Sequence, residues 1–236
     1  MTEEKNHVDT TKIDEMFKVG AHFGYSRARR HSSVKGHLYG AKNGSDIINL
    51  EDTVTMLAAA KARMVELGKL GKPVLFVGTK EEVRDIVEAT AKSINMPYVS
   101  ERWVGGMLTN WPEIRKRTAR LKELSDKFAK GDLAKYTKKE RLLFEREMAK
   151  LQTEFGGVST LEGVPAALIV IDPKAEHIAV AEAKKMRVET FAVLNSDCNK
   201  DEVTYPILAN DSARESVKYF LNELQASFLE GARQRA

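Results

Sequence analysis

The fold of this chain is decided by Pro73-Val-Leu-Phe-Val-Gly78, a run of six residues without one polar side chain. A short, continuous apolar run rich in β-forming residues predicts a strand of a parallel sheet that is buried on both faces. Two later runs have the same character: Ala167-Leu-Ile-Val-Ile-Asp172 and Thr190-Phe-Ala-Val-Leu-Asn195. Segments with helical periodicity alternate with these runs. The alternation predicts an α/β protein, built on a parallel sheet with helices on both faces.

Weaker signals predict the remaining elements of this α/β body. Asp46–Leu50 and Met96–Ser100 are expected to be short strands. Helix ends are read from terminal glycines and from capping boxes, in which Ser or Thr precedes Glu by three positions. Four helices are predicted on these grounds: one ended by Gly68 and Gly71, one opened by Thr79-x-x-Glu82, one over His177–Met186, and one opened by Ser212-x-x-Glu215 with a frayed tail after Gly231.

Residues 109–155 contain no strand-like run and interrupt the alternation. Two charged helical arms are predicted here, each with a single apolar seam at heptad-like spacing. The seam residues are Ile114, Leu121, Leu124 and Phe128 in the first arm and Phe144, Met148, Leu151 and Phe155 in the second. Lys130-Gly131-Asp132 marks the turn, and Thr137-x-x-Glu140 caps the second arm. We therefore expect an inserted antiparallel coiled-coil helical hairpin at 109–155, and an α/β domain formed by 1–108 and 156–236.

Positive charge is concentrated in two parts of the chain. Residues 18–42 carry six Lys and Arg and no acid, +6 in 25 residues, while residues 109–155 carry 13 Lys and Arg against 8 acids, +5 in 47 residues. The net charge of the whole chain is only +4, which leaves −7 for the remainder. Two basic segments on an acidic body favour a polyanionic partner, above all a nucleic acid.

Composition argues against several classes of protein. No apolar run approaches the roughly 18 residues of a membrane span. Met1–Asp14 lacks the apolar core of a secretory signal. A single cysteine, Cys198, rules out an internal disulfide and a Cys-rich zinc site. We therefore expect a soluble, cytoplasmic protein that needs no cofactor.

One alternative is an enzyme that binds a nucleotide or a sugar phosphate at the carboxyl edge of the sheet. Gly78-Thr79-Lys80 lies between a strand and a helix, as phosphate loops do, but the chain has no Walker sequence and no Gly-x-Gly-x-x-Gly. Residues after the strands could hold a magnesium ion: Asp172, Asn195, Ser196 and Asp197. No catalytic pair accompanies them, so helix caps and turns are the simpler explanation.

The histidines and the cysteine carry no recognisable site motif. The spacing of His22, His31 and His37 matches no common zinc arrangement, which favours packing or RNA contact over metal binding. Cys198 has no nearby histidine in the sequence, so a buried thiol or a thiol in a turn is expected rather than a nucleophile.

Two tryptophans flank a double glycine directly before the first arm. Trp103 and Trp111 are expected to brace a tight loop around Gly105-Gly106 at the base of the arms. Stacking of these rings on RNA bases is the alternative.

A series of short motifs occurs in one order along residues 13–231: Gly20-Ala-His22-Phe23-Gly24, Gly40-Ala-Lys-Asn43-Gly44, Phe76-Val-Gly78-Thr79-Lys80, Arg102-Trp103-x-Gly105-Gly106-x-Leu108-Thr109-Asn110, Ile114-Arg115-Lys116-Arg117, Asp172-Pro173-Lys174-x-Glu176-His177 and Asn210-Asp211. This ordered set resembles the family of the second protein of the small ribosomal subunit, bacterial type. The chain departs from the family pattern in a few places, which indicates a divergent member. His31-Ser32-Ser33 replaces an aromatic-Asn-Pro stretch, Tyr25 and Glu101 stand where His is common, Glu189 stands for Pro, and Ala209 stands for Gly.

The resemblance implies a Rossmann-like, flavodoxin-like fold and a structural, non-enzymatic protein that takes part in translation and subunit assembly. It implies binding to small-subunit (16S-type) ribosomal RNA on the solvent side, near the junction of head and body. Neighbouring small-subunit proteins are implied as partners, including the large mRNA-binding first protein of the subunit. A membrane and a second copy of this chain are not expected as partners.

Arginine can grip a phosphate with two hydrogen bonds, which makes the arginines the first candidates for RNA contact. The candidate residues are Arg27, Arg29, Arg30, Lys35 and Lys42 in the basic N-terminal segment 18–42, and Arg115, Lys116, Arg117 and Arg120 in the first arm, with Lys138 and Lys139 as weaker ones. The N-terminal segment is denser in charge and is expected to carry more RNA contacts per residue. A free regulatory protein that binds RNA or a partner is the alternative that the residues alone leave open.

Overall fold

A computed structural model describes residues 10–131 and 135–235 of the chain. The helices in these ranges are α1 (Thr10–Lys18), α2 (Leu50–Leu70), α3 (Arg84–Ser93), α4 (Trp111–Ala129), α5 (Lys138–Phe155), α6 (His177–Met186) and α7 (Arg214–Arg233). The strands are β1 (Phe23–Ser26), β2 (Leu38–Lys42), β3 (Ser45–Ile48), β4 (Val74–Val77), β5 (Tyr98–Val99), β6 (Ala167–Ile171), β7 (Glu189–Leu194) and β8 (Tyr205–Leu208). None of these helices is both long and apolar enough to cross a membrane.

The main sheet has five strands in the order β5-β4-β6-β7-β8, and every neighbouring pair is parallel. All four residues of β4 are buried. Alternate side chains enter two cores: Phe76 and Phe191 pack with α2, α3 and α7, whereas Leu75 and Leu168 pack with α6. Helices therefore cover both faces of the sheet, and the predicted α/β fold with a parallel sheet is confirmed.

Residues 23–48 form a second, smaller sheet. Its strands β1, β3 and β2 pair antiparallel in that order, with Phe23 opposite Ile47 and Lys42 opposite Ser45. The strand predicted at Asp46–Leu50 is found as β3, but it belongs to this antiparallel sheet. Strands β1 and β2 could not be predicted from the sequence, because their residues are mostly exposed and show no apolar alternation.

The prediction that Gly68 ends α2 is wrong. Gly71 ends the helix, as predicted, in the left-handed conformation at φ 61°. Gly68 lies inside α2 where this helix crosses α7, and a Cβ atom there would come within 2.1 Å of the Phe228 carbonyl oxygen. Gly231 has the same role in α7, since its Cβ would lie 2.0 Å from the Val65 carbonyl oxygen. α7 continues two residues beyond Gly231, to Arg233, and the fraying expected of the tail after Gly231 stays a prediction.

Two of the three predicted capping boxes are wrong. The Thr79 hydroxyl donates to the Glu176 carboxylate at 2.5 Å, and α3 begins only after the predicted box. The Ser212 hydroxyl hydrogen-bonds the Tyr25 hydroxyl at 2.7 Å, and α7 has no side-chain cap. In both cases a distant part of the chain supplies the partner. The box Thr137-x-x-Glu140 is confirmed at the start of α5.

Helices α4 and α5 occupy the two predicted arms. They pack mainly against each other and against residues 156–158. The buried seam residues are Ile114, Leu121, Leu124, Leu151 and Phe155, while Phe128, Phe144 and Met148 are half-buried. Of the predicted turn, Gly131 has the expected positive φ, 72°, and Asp132 lies outside the described residues. The helices are found where predicted, whereas the coiled-coil hairpin and the domain boundaries stay predictions.

Candidate nucleic-acid interface

The basic N-terminal segment is attached to the carboxyl edge of the main sheet. The Tyr25 amide donates to the Ser196 hydroxyl at 2.9 Å, and the His31 amide donates to the Ser196 carbonyl at 2.8 Å. Gly24 permits this close approach, because a Cβ atom there would lie 3.0 Å from the Ser196 hydroxyl oxygen. The small antiparallel sheet is thus bound to the body through several polar contacts.

Arg30 of this segment forms an ion pair with Asp46 of β3. Its Nε donates to Asp46 Oδ2 at 2.8 Å, and its Nη2 donates to Oδ1 of the same carboxylate. The Asp46 side chain is fully buried, and that of Arg30 is 19% exposed. A buried carboxylate is costly unless it is paired and hydrogen-bonded. Arg30 therefore neutralises Asp46, and its charge is only partly available to another anion.

The other candidates of the N-terminal segment point into solvent. Arg27, Arg29, Lys35 and Lys42 are exposed and form no ion pair within residues 10–131 and 135–235. The Arg29 guanidinium lies 5.8 Å from the centre of the Tyr25 ring, a cation–π distance that steadies the arginine without neutralising it. We call these four residues the N-terminal basic surface.

Arg120 is held between α4 and α5. Its Nε and Nη2 donate to the Glu147 carboxylate at 3.0 and 3.1 Å, and its Nη1 donates to Glu123 at 3.0 Å. These hydrogen bonds to Glu147 and Glu123 raise the pKa of Arg120. Because Arg120 of α4 binds Glu147 of α5 through two hydrogen bonds, it links the two helices. An RNA phosphate would have to compete with the carboxylates of Glu147 and Glu123 for this arginine.

Three exposed cations of α4 are less strongly engaged. Lys116 lies 3.1 Å from Glu113 and Arg117 lies 3.7 Å from it, in pairs of a type that is weak at an exposed helix surface. Arg115 forms no ion pair in the part of the chain that the structure describes. We call Arg115, Lys116 and Arg117 the α4 basic surface.

Other exposed cations of the two helices extend this charge beyond the residues that the sequence singled out. Lys138 and Lys139, the weaker candidates, are exposed in the first turn of α5. Exposed cations that were not among the candidates are Lys122, Lys130, Arg141, Arg146 and Lys150. Sequence spacing alone could not show which of these cations face solvent. Their exposure depends on which faces of α4 and α5 pack against each other.

The crevice where the sequence allows a magnesium ion contains the amine of Lys80. Its Nζ lies 2.5 Å from Asp172 Oδ2 and 3.2 Å from Asp211 Oδ2. Burial opposes the charge of Lys80, but Asp211 and Asp172 raise its pKa overall, so the amine stays protonated. Asp172, Cys198 and Asp211 form the one cluster of possible metal ligands among the described residues. The ammonium group already supplies the positive charge that this cluster needs.

The remaining residues of the predicted ion site have partners of their own. The Asn195 side-chain amide donates to Asp211 at 3.1 Å, and the Ser196 amide donates to the Asn195 side chain at 2.7 Å. Asp197 accepts from Lys174 at 2.8 Å. The turn and cap interpretation of these residues is thus favoured over ion binding.

A phosphate would meet negative charge at Gly78-Thr79-Lys80. The Thr79 amide and hydroxyl both donate to Glu176, at 3.0 and 2.5 Å, and Lys80 is paired with the two aspartates of the crevice. The donors that a phosphate loop would offer are therefore already used. This arrangement gives the nucleotide-binding alternative no support.

Cys198 and His22 are buried, whereas His31 and His37 are half-buried. Cys198 is 1% exposed, and burial raises the pKa of its thiol, so it is a poor nucleophile. His22 is buried between two aromatic rings, 4.2 Å from Phe17 and 4.0 Å from Phe23, and burial lowers its pKa. His31 hydrogen-bonds the nearby Ser33 hydroxyl, and His37 hydrogen-bonds Asp52 of α2.

The loop before α4, residues 103–109, donates hydrogen bonds to the carboxylate of Glu182. Trp103 is 6% exposed, and its Nε1 donates to Glu182 at 3.2 Å. The Trp111 Nε1 donates to the Glu162 carbonyl at 3.3 Å. Both rings brace the base of α4, which favours the structural interpretation of the tryptophans. Sequence reasoning missed Glu182, because an acid on an amphipathic helix gives no sign that it faces a loop.

Two of the departures from the family pattern have charged partners. Glu189 accepts from Arg63 at 2.9 and 3.0 Å, and Glu101 accepts from Arg84 at 3.0 Å. Both contacts join separate elements of the body. These substitutions therefore add surface ion pairs and leave the two basic surfaces untouched.

Comparison with known proteins gives matches along most of the chain. The sequence profile of the family described as Ribosomal protein S2 matches residues 16–231. Proteins named small ribosomal subunit protein uS2 are similar to the chain in several bacteria. That of Geotalea uraniireducens is 37% identical over 223 residues, 94% of this chain and 87% of the relative. The Dehalococcoides mccartyi protein is 39% identical over 94% of this chain and 90% of its own length, and that of Vibrio cholerae is 41% identical over 94% and 92%. The matches include both the sheet and the charged helices.

Proposed function

The chain belongs to the ribosomal protein S2 family, and we propose that it binds the RNA of the small ribosomal subunit through its two basic surfaces. As a member of this family it is a structural protein of the small subunit, a cytoplasmic component of translation, and not an enzyme. The relatives carry the name of a small-subunit protein, which makes association with ribosomal RNA and neighbouring proteins the general expectation. The specific residues and partners below are our inference.

One observation carries the proposal: the cations of the N-terminal basic surface have no acidic partner among the residues that the structure describes. Arg27, Arg29, Lys35 and Lys42 are exposed on a chain segment that contains no acid between residues 18 and 42. Charges that are not used inside the fold are available to phosphate groups. The α4 basic surface adds three more cations, two of them in weak pairs with Glu113.

The two internally paired candidates take a lower rank in this proposal. Arg30 is required by the buried Asp46, and Arg120 is shared by Glu147 and Glu123. Either residue would have to leave a carboxylate to bind a phosphate. They are thus expected to shape the two basic surfaces more than to contact RNA.

The chemistry of this binding is association without turnover. Each Lys or Arg that neutralises a phosphate releases a condensed counterion, so the affinity should fall steeply as salt rises. The outward face of an RNA duplex offers phosphates and 2′-hydroxyls more readily than base edges. Basic side chains on rigid helices and strands suit such recognition by shape and charge.

The remaining partners follow from membership in the family. We propose that this protein lies beside other small-subunit proteins, including the large mRNA-binding first protein where the organism has one, and that it takes part in subunit assembly. Neither a membrane nor a second copy of the chain is part of the proposal.

Binding to small-subunit RNA at several salt concentrations tests the proposal. A variant with Arg27, Arg29, Lys35 and Lys42 all replaced by Gln should bind more weakly and with a smaller salt slope. A control with the same change in charge replaces four exposed lysines of the body, Lys69, Lys72, Lys185 and Lys218. The proposal predicts that the first variant loses much more affinity than the control. Equal losses in both would mean that only the net charge matters, and the proposal would be wrong.

A further inference from the structure

Five hydrogen-bond donors surround the carboxylate of Glu182 in α6. Oε1 accepts from Trp103 Nε1 at 3.2 Å and from the Gly106 amide at 2.7 Å. Oε2 accepts from the Leu108 amide at 3.0 Å and from both the amide and the hydroxyl of Thr109 at 3.1 Å. All five donors belong to residues 103–109, the segment that leads directly into α4. No other carboxylate in the described part of the chain accepts as many hydrogen bonds from one loop.

The charge of Glu182 is balanced by the loop alone. Glu182 is 8% exposed and forms no ion pair with the described residues. Burial would raise the pKa of Glu182, but the amides of Gly106, Leu108 and Thr109, together with Trp103, lower it overall. A carboxylate of this kind loses much of its stabilisation when the loop moves, because an unpaired charge would then stay buried.

The loop can wrap around the carboxylate because of the backbone conformation of Gly106. Gly106 has φ +91°, a conformation that side chains with a Cβ atom rarely adopt. The amide of Asn110 then donates to the Gly106 carbonyl at 2.7 Å, and the Ile114 amide donates to the Asn110 carbonyl at 3.4 Å. An unbroken series of hydrogen bonds therefore links Glu182 to the first turn of α4.

The return of the chain to the body after α5 has a contact of a different kind. Gly157 lies against β5, where a Cβ atom would come within 2.3 Å of the Tyr98 carbonyl oxygen. Phe155 and Val158 are buried in the same core as Trp103. The α4–α5 pair is thus held by apolar packing at both ends, through Met107, Leu108 and Ile114 where it begins and through Phe155 and Val158 where it ends. The polar contact with Glu182 is present only where the pair begins.

We propose that Glu182 is a positioning residue, which fixes the angle at which α4 and α5 leave the body and so places the α4 basic surface for RNA. Loss of its charge removes the polar contacts that fix the backbone of residues 103–109, while apolar packing at both ends keeps the pair attached to the body. The angle between the pair and the body then varies. This inference rests on the proposed function only in its last step, the consequence for RNA.

The test measures the distance between spin labels on the full chain. One label is placed at Ser125→Cys in α4 and the other at Ala226→Cys in α7, both exposed positions, and the unsubstituted chain checks that the buried Cys198 stays unlabelled. The distance distribution is compared with and without Glu182→Gln. Glu176→Gln is the matched control, because Glu176 is a buried acid at the start of α6 that bonds Thr79 and not the loop before α4.

The proposal predicts a clearly broader or shifted distance distribution in Glu182→Gln and an unchanged one in Glu176→Gln. A second label pair within the body, Glu81→Cys with Ala226→Cys, should keep its distance in both variants. An unchanged α4–α7 distribution in Glu182→Gln would overturn the proposal, and so would equal broadening in the control.

A gentler variant covers the case in which Glu182→Gln does not fold. Trp103→Phe combined with Thr109→Val removes two of the five donors and keeps the carboxylate. Broadening of the α4–α7 distances in this double variant supports the positioning role, and an unchanged distribution contradicts it.

RNA binding is measured in a separate experiment, so that the positioning role of Glu182 and the proposed RNA-binding function are tested independently. In Glu182→Gln the salt slope should fall by about 0.7–0.9 for each phosphate contact that α4 no longer makes. If the parent chain does not bind RNA at all, the proposed function is wrong, while the spin-label distances still decide whether Glu182 positions α4.

Discussion

The guanidinium of Arg30 is bound at two points by the buried carboxylate of Asp46. Its neighbours in the sequence, Arg27 and Arg29, have no acidic partner among the described residues and are exposed. Three arginines in four positions thus have two different roles. One neutralises a buried acid inside the fold, and the other two leave their charge in solvent.

This division predicts opposite effects for two substitutions of the same kind. Arg30→Gln should lower the melting temperature, because Asp46 would remain buried without its cation. Arg29→Gln should leave the melting temperature nearly unchanged and lower the salt slope of RNA binding by about 0.7–0.9, the value for one phosphate contact. Thermal unfolding and RNA titration of both variants check this. A stable Arg30→Gln variant with the larger loss of RNA affinity would reverse the assignment.

Lys80 should be essential for stability, although it is a lysine at the edge of a sheet. Lys80→Met leaves Asp172 and Asp211 facing each other without a cation, and removal of one partner from a buried charge cluster costs about 3–5 kcal/mol. Urea unfolding of the full chain measures this loss. Lys92→Met is the control, since its pair with Glu88 is exposed on both sides and should contribute about 0–1 kcal/mol. Similar losses in both variants would contradict the role of Lys80.

Gly68 should tolerate no side chain, because α2 and α7 touch there. Gly68→Ala would force a Cβ atom against the Phe228 carbonyl oxygen, and overpacking of this kind costs about 1–3 kcal/mol or more. Gly163→Ala, where no atom lies within 4 Å of a new Cβ, should change the free energy of unfolding by less than about 0.5 kcal/mol. Denaturant titration compares the two. An equally stable Gly68→Ala chain would show that the helices can separate at no cost.

The contribution of Glu182 to stability should depend on pH. Its pKa is lowered in the folded chain by the donors of the loop, so its contribution is present above the unfolded pKa of about 4.3 and is lost as the pH falls through the folded value. The difference in free energy of unfolding between the parent and Glu182→Gln should therefore be constant from about pH 6 to 8 and shrink below about pH 4. Urea unfolding across this range measures the difference. A difference that stays constant down to about pH 3 would mean that the ionised carboxylate is not what the loop binds.

The sheet could be predicted from the sequence because parallel strands that are buried on both faces consist of continuous apolar runs. β4, β6 and β7 have this signal, and the two helical arms have their seams. The small antiparallel sheet could not be predicted, because β1 and β2 are short and mostly exposed. Gly68 and Thr79 were misassigned for a related reason. Both have local patterns of helix ends, but their partners lie far away in the sequence, at Phe228 and Glu176.

The sequence was enough to locate the two basic segments of the candidate site. It was not enough to predict which of their side chains are paired with acids in the fold. Charge counting found the segments around Arg29 and Arg115 correctly as basic and exposed. It could not show that Arg30 and Arg120 are engaged by Asp46 and Glu147, because those pairings depend on the fold. The role of Glu182 could not be predicted for the same reason. Most of its partners are backbone amides, which no side-chain motif reveals.

Sedimentation of the tagged chain with a cell lysate tests the central claim most directly. The protein should enter the small-subunit fraction at low and moderate salt. A variant with Gln at Arg27, Arg29, Lys35 and Lys42 and at Arg115, Lys116 and Arg117 should leave that fraction at moderate salt while it stays folded by circular dichroism. The account is contradicted if the unsubstituted chain stays outside the small-subunit fraction, or if the fully substituted variant sediments with it as well as the parent does.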